Sequence, residues 1–394
     1  MKQINSLGNS HMLLMDLLSA EMTSISVPRE TQDLITIERL HALYTFAKQH
    51  DVVHLVGDAL DKNGLLDQDA ELKKRFLYER SMAVFRCEQL QYELECITQV
   101  FEQAQIAYLP LKGAVLRQYY KEPWMRTSCD IDILVHPEDV EKAVSALEKQ
   151  LQYTRGEESD HDVLLTSESG MSLELHYQLQ GVEARETEEK VLTDIWLHAR
   201  KSAGKEWGYE LPDAYFYAYH ISHIAKHLRG GGCGVRSVLD TWILNHSIEF
   251  DKNAREAVLQ ETRLGKVAKG LENLAEVWFS NQPADELSEI LGEYIVRGGL
   301  YGSMANVITR WKNEKKNPVS YLFSRLFLPY EHMKYKYPKL KKYPVLYPFY
   351  TVKRWCQLFQ KDKKERALNE MSQIANSDEV RQARLAKMMQ DLEL

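Results

Sequence analysis

The most chemically informative residues of this chain are two aspartates that stand two positions apart. Asp130 and Asp132 alternate with apolar residues in the segment Cys129–Val135, which predicts a β-strand with both carboxylates on one face. Like charges held this close repel, and a fold keeps them together mainly to bind a hard divalent cation. Glu174 stands between two leucines in a later strand-like segment. If that strand lies beside the first, the three carboxylates converge and can hold two Mg²⁺ ions for a displacement at a phosphate.

Basic residues upstream of the aspartates suit the binding of a phosphate. Lys112 and Gly113 follow a short apolar segment, Ile106–Leu111, and precede a predicted helix. Glycine lets the backbone approach a phosphate, the helix N-terminus supplies amide donors, and Lys112 adds a full positive charge. Arg126, four residues before Asp130, is a further candidate phosphate ligand. The ordered set of strand, Lys-Gly, helix, arginine, paired aspartates and glutamate predicts a metal–phosphate site.

Several histidines are candidates for other contacts in this site. His176 follows Glu174 by two residues and shares its strand face, where it either contacts phosphate or acceptor or is a hydrogen-bonded structural histidine. His220, His223 and His227 share one face of a later predicted helix. For these three the sequence leaves open zinc binding, contact with acceptor or phosphate across the cleft, and a structurally packed helix face.

The elements that must position these residues form a small α/β unit. Between about 105 and 180 the pattern predicts strand, helix, strand, helix and then a two-stranded hairpin around Ser169-Gly170. Helical periodicity dominates on both sides, so the predicted fold class is α+β, with a small mixed sheet between N-terminal and C-terminal helical regions. The expected divisions are a helical region over 1–104, the α/β core over 105–184, a helical domain over 185–310, and a basic, aromatic region with a terminal helix over 311–394.

Apolar spacing also predicts the helices of the flanking regions. Residues 30–105 are expected to be helical, with Phe76, Met82, Phe85, Leu90, Leu94 and Ile97 at helical spacing. Gly57 and Gly64 suit helix ends. After residue 185 the predicted helices are 185–200, 212–229, 236–248, 252–281 and 284–310. Arg236 and Asp240 stand four residues apart on one of them, which predicts an ion pair between them.

These motifs resemble the polymerase-beta-like nucleotidyltransferase superfamily. Within it, the chain is most similar to the bacterial uncharacterised nucleotidyltransferases, in which Leu-Lys-Gly replaces the usual Gly-Ser before the paired aspartates. The resemblance is specific over about 105–180 and weaker through the later helices. The residues that carry it are Leu111-Lys112-Gly113, Tyr119-Tyr120, Pro123, Arg126, Asp130–Val135 and Leu173-Glu174-Leu175-His176.

The resemblance implies an enzyme that transfers a nucleoside monophosphate from a nucleoside triphosphate (NTP) to an acceptor hydroxyl. It implies a two-metal mechanism with Mg²⁺, for which Mn²⁺ substitutes. The implied catalytic and metal-binding residues are Asp130, Asp132 and Glu174, and the implied phosphate-binding residues are Lys112, Gly113 and Arg126. Lys112 stands where a serine of the superfamily contacts the triphosphate. The candidates on the acceptor side are His176, His220, His223, Arg236 and Asp240.

The acceptor stays open at this point. A small molecule, a glycan, a protein side chain and a tRNA end are all compatible with the residues, and the resemblance favours a glycan-related role. Two alternatives remain, a toxin-like enzyme that nucleotidylates tRNA and a catalytically inactive nucleotide-binding or scaffold module. The presence of all three carboxylates disfavours the inactive module.

Composition limits the class of protein. The 394 residues have ordinary globular proportions, with 44% hydrophobic and 27% charged residues, which excludes a disordered tail, a collagen and a coiled-coil rod. The five cysteines are odd in number and widely spaced, so free thiols in a reducing cytoplasm are expected. The N-terminus is a poor signal peptide, and no apolar stretch is long enough to span a membrane.

The net charge of −7 conceals a basic, aromatic segment over 311–366. This segment carries 15 Lys and Arg against four Asp and Glu, a net charge of +11. Interleaved basic and aromatic side chains suit single-stranded nucleic acid or an anionic membrane surface, including the inner face of a bacterial membrane. A tail that wraps an acidic body is the structural alternative.

Overall fold

The computed structural model describes residues 2–179, 191–299, 339–358 and 379–394, together with Phe327, Tyr330, Met333 and Tyr337. The first part is helical. Asp69 caps the longest of these helices, because its carboxylate accepts a hydrogen bond from the Leu72 N–H at 2.9 Å. The helices are α1 (Lys2–Thr23), α2 (Arg29–Asp33), α3 (Ile37–Gln49), α4 (Val53–Lys62) and α5 (Ala70–Gln103).

A mixed sheet follows, as predicted for residues 105–180, but it has five strands where the sequence predicted four. The strands lie in the order β1-β2-β5-β4-β3; β2 and β5 run parallel, and the other neighbours are antiparallel. Gly170, with φ of +81°, forms the turn of the predicted β4–β5 hairpin. The elements are β1 (Tyr108–Pro110), α6 (Lys112–Leu116), β2 (Asp130–Val135), α7 (Val140–Leu151), β3 (Thr154–Glu158), β4 (Asp162–Thr166) and β5 (Ser172–His176).

Helices return after a short two-stranded ribbon. The ribbon pairs β6 (Arg200–Lys201) with β7 (Tyr209–Glu210). The helices are α8 (Asp213–Arg229), α9 (Val235–Ser247), α10 (Lys252–Glu261), α11 (Gly265–Phe279), α12 (Glu286–Gly298), α13 (Lys339–Lys342), α14 (Tyr347–Leu358) and α15 (Glu379–Asp391). The α+β class with helices on both sides of a small sheet is confirmed.

Two hydrophobic clusters hold these layers together. One cluster joins α1, α3 and α4 to α8, α9, α11 and α12. The other fills the space between the sheet and the helices α5 and α7. Helix α5 contributes to both, with Leu72 and Phe76 in the first cluster and Ile97 and Phe101 in the second.

Several predicted elements differ from the structure. The single helix over 252–281 is wrong, because Arg263 adopts the left-handed conformation (φ +56°) and separates α10 from α11. The helix over 185–200 is also wrong in its described part, where only short helical turns precede β6. Strand β3 was not predicted because it is a polar, exposed edge strand without apolar alternation.

Some predicted helix features also need correction. Gly57 does not end a helix; it lies within α4, where a Cβ would stand 3.0 Å from the Cβ of Phe76, so glycine allows α4 and α5 to pack closely. Gly64 does lie in a turn, with φ of +66°. Along α5, Phe76 and Ile97 are buried as the spacing predicts, but Met82 and Phe85 are exposed.

Part of the chain's predicted organisation lies beyond these observations. Residues 185–190, 300–310 and most of the basic segment 311–366 are outside the described residues. The contact of this segment with a membrane or a nucleic acid therefore stays a prediction. None of the helices in the described part of the chain is both long and apolar enough to cross a bilayer.

Candidate active site

The three predicted carboxylates come together on one face of the sheet. Asp132 on β2 and Glu174 on β5 are direct register partners, and Asp130 precedes Asp132 by two residues on the same face. Asp132 is buried, with 2% of its surface exposed. Burial, together with the negative charges of Asp132 and Glu174, raises the pKa of Asp130 to about 6. The three carboxylates therefore repel one another, and a bound cation would reduce this repulsion.

Lys112 supplies positive charge to this cluster. Its Nζ lies 2.6 Å from Asp132 Oδ1 and 3.4 Å from Glu174 Oε2. Burial lowers the pKa of Lys112, but the charges of Asp132 and Glu174 and the hydrogen bond to Asp132 act together against burial, so the pKa lies above its usual value. The same contact, with help from His176, holds the pKa of Asp132 below its usual range despite burial. The ammonium thus stays protonated among the carboxylates, where it compensates their charge.

The backbone around Lys112 is unusual. Lys112 has φ of +43°, in the left-handed region that a lysine rarely adopts, and it begins the five-residue helix α6. At Gly113 an added Cβ would stand 3.0 Å from the Cβ of Ser128. The hydroxyl of Ser128 in turn accepts a hydrogen bond from Arg117 Nη2 at 2.9 Å. Glycine at 113 is therefore required for the close packing of α6 on the segment that leads into β2.

A single cavity of about 410 Å³ brings all the predicted site residues together. The sheet face forms one wall, and α8 and α9 form the opposite wall. The predicted residues that line it are Lys112, Gly113, Arg126, Asp130, Asp132, Glu174, His176, His220, His223, Arg236 and Asp240. This volume lies within the usual range for small-molecule sites, roughly 300–1,000 Å³.

The sequence also matches a known protein family. Residues 38–280 match the model of a family described as "Uncharacterised nucleotidyltransferase". The chain belongs to this nucleotidyltransferase family. No curated protein and no solved structure matches the chain. The matched range includes the sheet, the carboxylates and the helices α8 and α9 that close the cavity.

Arg126 forms its polar contacts inside the protein. Its Nε donates to Asp240 Oδ1 at 2.7 Å, and the Tyr120 hydroxyl donates to the same oxygen at 2.7 Å. Arg236 contacts the carboxylate of Asp51 and the carbonyl of Thr127. The predicted pair between Arg236 and Asp240 is therefore wrong. Each of these two residues instead pairs with a residue distant in sequence.

The histidines that line the cavity have different surroundings. His176 Nε2 lies 2.9 Å from Asp132 Oδ1; burial lowers the pKa of His176, but its hydrogen bonds to Asp132 and Glu174 outweigh burial and raise it. His223 Nε2 lies 3.1 Å from His227 Nε2, and burial lowers the pKa of both. His220 is buried near the Thr241 hydroxyl. Within the described residues, no group of three ligands suited to a metal includes these α8 histidines, so zinc at this helix is not supported.

The cavity is also lined or supported by residues that the sequence analysis did not identify. Asp51 lies in the turn after α3, far from the motifs, and reaches Arg236 only through the fold. Tyr219 is fully enclosed beside Lys112, and burial raises its pKa. His161 and Asp162 line the cavity from the start of β4. Their position beside the predicted β4–β5 hairpin is the signal that could have identified them.

Two buried histidines predict that the protein loses stability in mild acid. Burial lowers the pKa of His50 and of His220 to about 4 each. Between pH 6.5 and 4 the unfolded chain binds these protons and the folded chain does not. The stabilisation is therefore complete above pH 6.5 and is lost as the pH falls toward 4.

We expect the free energy of unfolding to fall by about 1 kcal/mol per such histidine between pH 7.5 and 5.5, measured by urea titration. His50→Asn keeps an acceptor for the Val235 N–H, which His50 Nδ1 accepts at 3.3 Å. This variant should lose less stability over the same interval. An identical loss in the variant and the wild type would contradict the assignment.

Proposed function

We propose that this protein is a Mg²⁺-dependent nucleotidyltransferase that transfers a nucleoside monophosphate from an NTP to an acceptor hydroxyl. The observation that carries the proposal is the convergence of Asp130, Asp132 and Glu174 with Lys112 in one cavity. Family membership supports nucleotidyl transfer as the general reaction. The metal, the triphosphate and the hydroxyl acceptor are parts of the proposal.

The donor set fits a hard divalent cation. Three carboxylates offer the oxygen ligands that Mg²⁺ prefers. The protonated ammonium of Lys112 already contacts Asp132 and Glu174. Asp130, Asp132 and Glu174 would hold the ions. When bound, the ions neutralise the charge of the phosphates and orient them for in-line displacement, and Mn²⁺ is expected to substitute.

Lys112 is proposed to bind the triphosphate. Its ammonium compensates the carboxylates in the free protein and is the cationic group nearest to them. A lysine is a mobile point charge on a flexible stem, so its ammonium can turn from Asp132 to a phosphate oxygen without a change of the backbone. Gly113 lets α6 pack against Ser128, and this packing fixes the position of the Lys112 backbone. Arg126 also lines the cavity, but its Nε is bound to Asp240, whose negative charge offsets that of the guanidinium.

The opposite wall is proposed to hold the acceptor. His220, His223, Arg236 and Asp240 line the cavity from α8 and α9.

Two carboxylates, Asp132 and Glu174, are candidates for the base that takes the proton from the acceptor hydroxyl. Asp132 is a poor proton acceptor because Lys112 and His176 hold its pKa low despite burial. Glu174, with one third of its side chain exposed, is the better placed of the two.

The variant Lys112→Met tests the proposed role of the ammonium. We expect the dissociation constant for NTP to rise at least about 10-fold, because a point charge that faces phosphate is lost. Mg²⁺ should bind more tightly without nucleotide, since the competing cation is gone. Calorimetric titration measures both. Lys226→Met is the matched control, because Lys226 lines the same cavity but forms none of the Lys112–carboxylate contacts. Unchanged NTP affinity in Lys112→Met would contradict the proposal.

The acceptor is best found by labelling. The protein is incubated with each α-³²P-labelled NTP and Mg²⁺ in a cell extract, and the molecule that becomes radioactive is identified. Transfer to a glycan, protein or small molecule supports the main proposal. Label on tRNA, with growth arrest on expression, supports the toxin-like alternative. Metal-dependent NTP binding without any labelled product supports the inactive module.

A further inference from the structure

A second group of metal-ligand side chains lies beside the carboxylate cluster. The ligand atoms of His161, Asp162 and His176 lie within 4.8 Å of one another. Asp162 on β4 and His176 on β5 are direct register partners, so their side chains stand on the same face of the sheet. His161 immediately precedes β4, and its ring stacks on that of His176 with centroids 5.9 Å apart. Three potential ligands from two adjacent strands thus converge.

Each of the two histidines has one ring nitrogen held by a carboxylate that is not among the three potential ligands, Asp160 for His161 and Asp132 for His176. Asp160 Oδ1 lies 2.7 Å from His161 Nδ1, while His161 Nε2 lies 3.2 Å from Asp162 Oδ2. Asp132 Oδ1 lies 2.9 Å from Nε2 of His176. A carboxylate that holds the far nitrogen of an imidazole is the usual support of a metal-binding histidine, because it fixes the tautomer and raises the basicity of the other nitrogen.

An unpartnered buried atom points independently to a ligand. His176 is 3% exposed, and its Nδ1 has no hydrogen-bond partner. A buried polar atom without a partner costs about 1–3 kcal/mol. The Nε2 atom of the same ring is already bound to Asp132, so Nδ1 is the atom that remains for a ligand. A metal ion would satisfy Nδ1 of His176.

We propose that His161, Asp162 and His176 bind a divalent transition-metal ion of the zinc class. Two imidazoles and one carboxylate favour such an ion over Mg²⁺, which prefers oxygen ligands. The site goes beyond the proposed transferase function, because it uses a different ligand set on a neighbouring strand. His176 joins the two sites: a metal on its Nδ1 fixes the ring that contacts Asp132 through Nε2. The ion would tie β4 to the face that carries the carboxylates.

The test uses the full chain after removal of metal with a chelator. The probes are Co²⁺, followed by its visible absorption, and Zn²⁺, followed by calorimetry and by competition with bound Co²⁺. We expect one ion per chain at this site. His161→Gln and Asp162→Asn should each weaken binding by at least about 100-fold, since each removes one of three ligands. Asp160→Asn should weaken it about 10- to 100-fold, as loss of a supporting carboxylate does.

Controls separate this site from its neighbours. His227→Gln alters the α8 histidines, and Asp130→Asn alters the carboxylate cluster; both should keep the Co²⁺ spectrum and affinity. Thermal melting of each metal-free variant confirms that it is folded, and the two independent ligand variants guard against a folding failure in one of them. Loss of the spectrum in Asp130→Asn or His227→Gln, unchanged affinity in both ligand variants, or no Co²⁺ binding by the wild type would each overturn the proposal. Because none of these readouts uses NTP, they are independent of the transferase proposal.

Discussion

Asp130→Asn is expected to abolish Mg²⁺-dependent nucleotidyl transfer, by about 10³-fold or more, and to leave the fold intact. The size of the loss follows from removing a charged ligand of the catalytic ions, which stabilise the transition state electrostatically. The fold should survive because the charge of Asp130 is costly in the metal-free protein. Burial and the neighbouring carboxylates raise its pKa to about 6. The neutral amide should therefore keep or raise the melting temperature without metal.

Turnover of labelled NTP and thermal melting, each with and without Mg²⁺, measure the two expectations together. In the wild type Mg²⁺ should raise the melting temperature, and in Asp130→Asn this increase should shrink. Asp33→Asn, at an exposed position on α2, is the matched control and should behave as the wild type does. Metal-dependent turnover at the wild-type rate in Asp130→Asn would remove this carboxylate from the mechanism.

Asp240→Ala is expected to cause the largest loss of stability among these variants. Asp240 is 2% exposed and accepts hydrogen bonds from Arg126 and Tyr120. Removing its carboxylate leaves the Arg126 guanidinium buried without a counter-charge, which costs about 3–5 kcal/mol. Tyr120→Phe removes a single hydrogen bond to the same oxygen and should cost only about 1–2 kcal/mol.

Urea unfolding measures both losses, and a double variant sharpens the interpretation. Arg126→Met combined with Asp240→Leu replaces the pair by apolar side chains of similar size. It should recover part of the stability lost in Asp240→Ala, because no buried charge is left alone. A cost below about 1 kcal/mol for Asp240→Ala would show that solvent compensates Arg126.

The sequence allowed the face of the sheet that carries the carboxylates to be predicted. Alternation around Asp130 and Asp132 placed both on one side of a strand, and the same pattern placed Glu174 and His176 on one side of another. From the sequence alone, the convergence of the carboxylates depended on these two strands being neighbours. The parallel pairing of β2 with β5 meets that condition. Successive side chains of a strand point to opposite faces because of the local backbone geometry, so this alternation does not depend on the tertiary structure.

The pairings across the cavity could not be predicted. Arg236 binds Asp51 and Arg126 binds Asp240, and each pair joins segments more than 100 residues apart. Local spacing instead suggested a pair between Arg236 and Asp240. A helix of fixed geometry offers that contact at little energetic gain, about 0.2–0.5 kcal/mol, so buried partners outweigh it. Only the packing of α9 against the segment before β2 decides between the two arrangements.

Helix α5 has a consequence for how this protein can be divided. Its 34 residues run from the cluster shared with α4 to the cluster beneath the sheet. A fragment that begins at residue 105 would keep Asp130, Asp132 and Glu174 and lose one wall of the sheet's hydrophobic core. Phe101 and Ile97, both fully buried, belong to that wall. The sheet that carries these carboxylates is therefore not an exchangeable module; recombination that transfers it must carry the preceding helix as well.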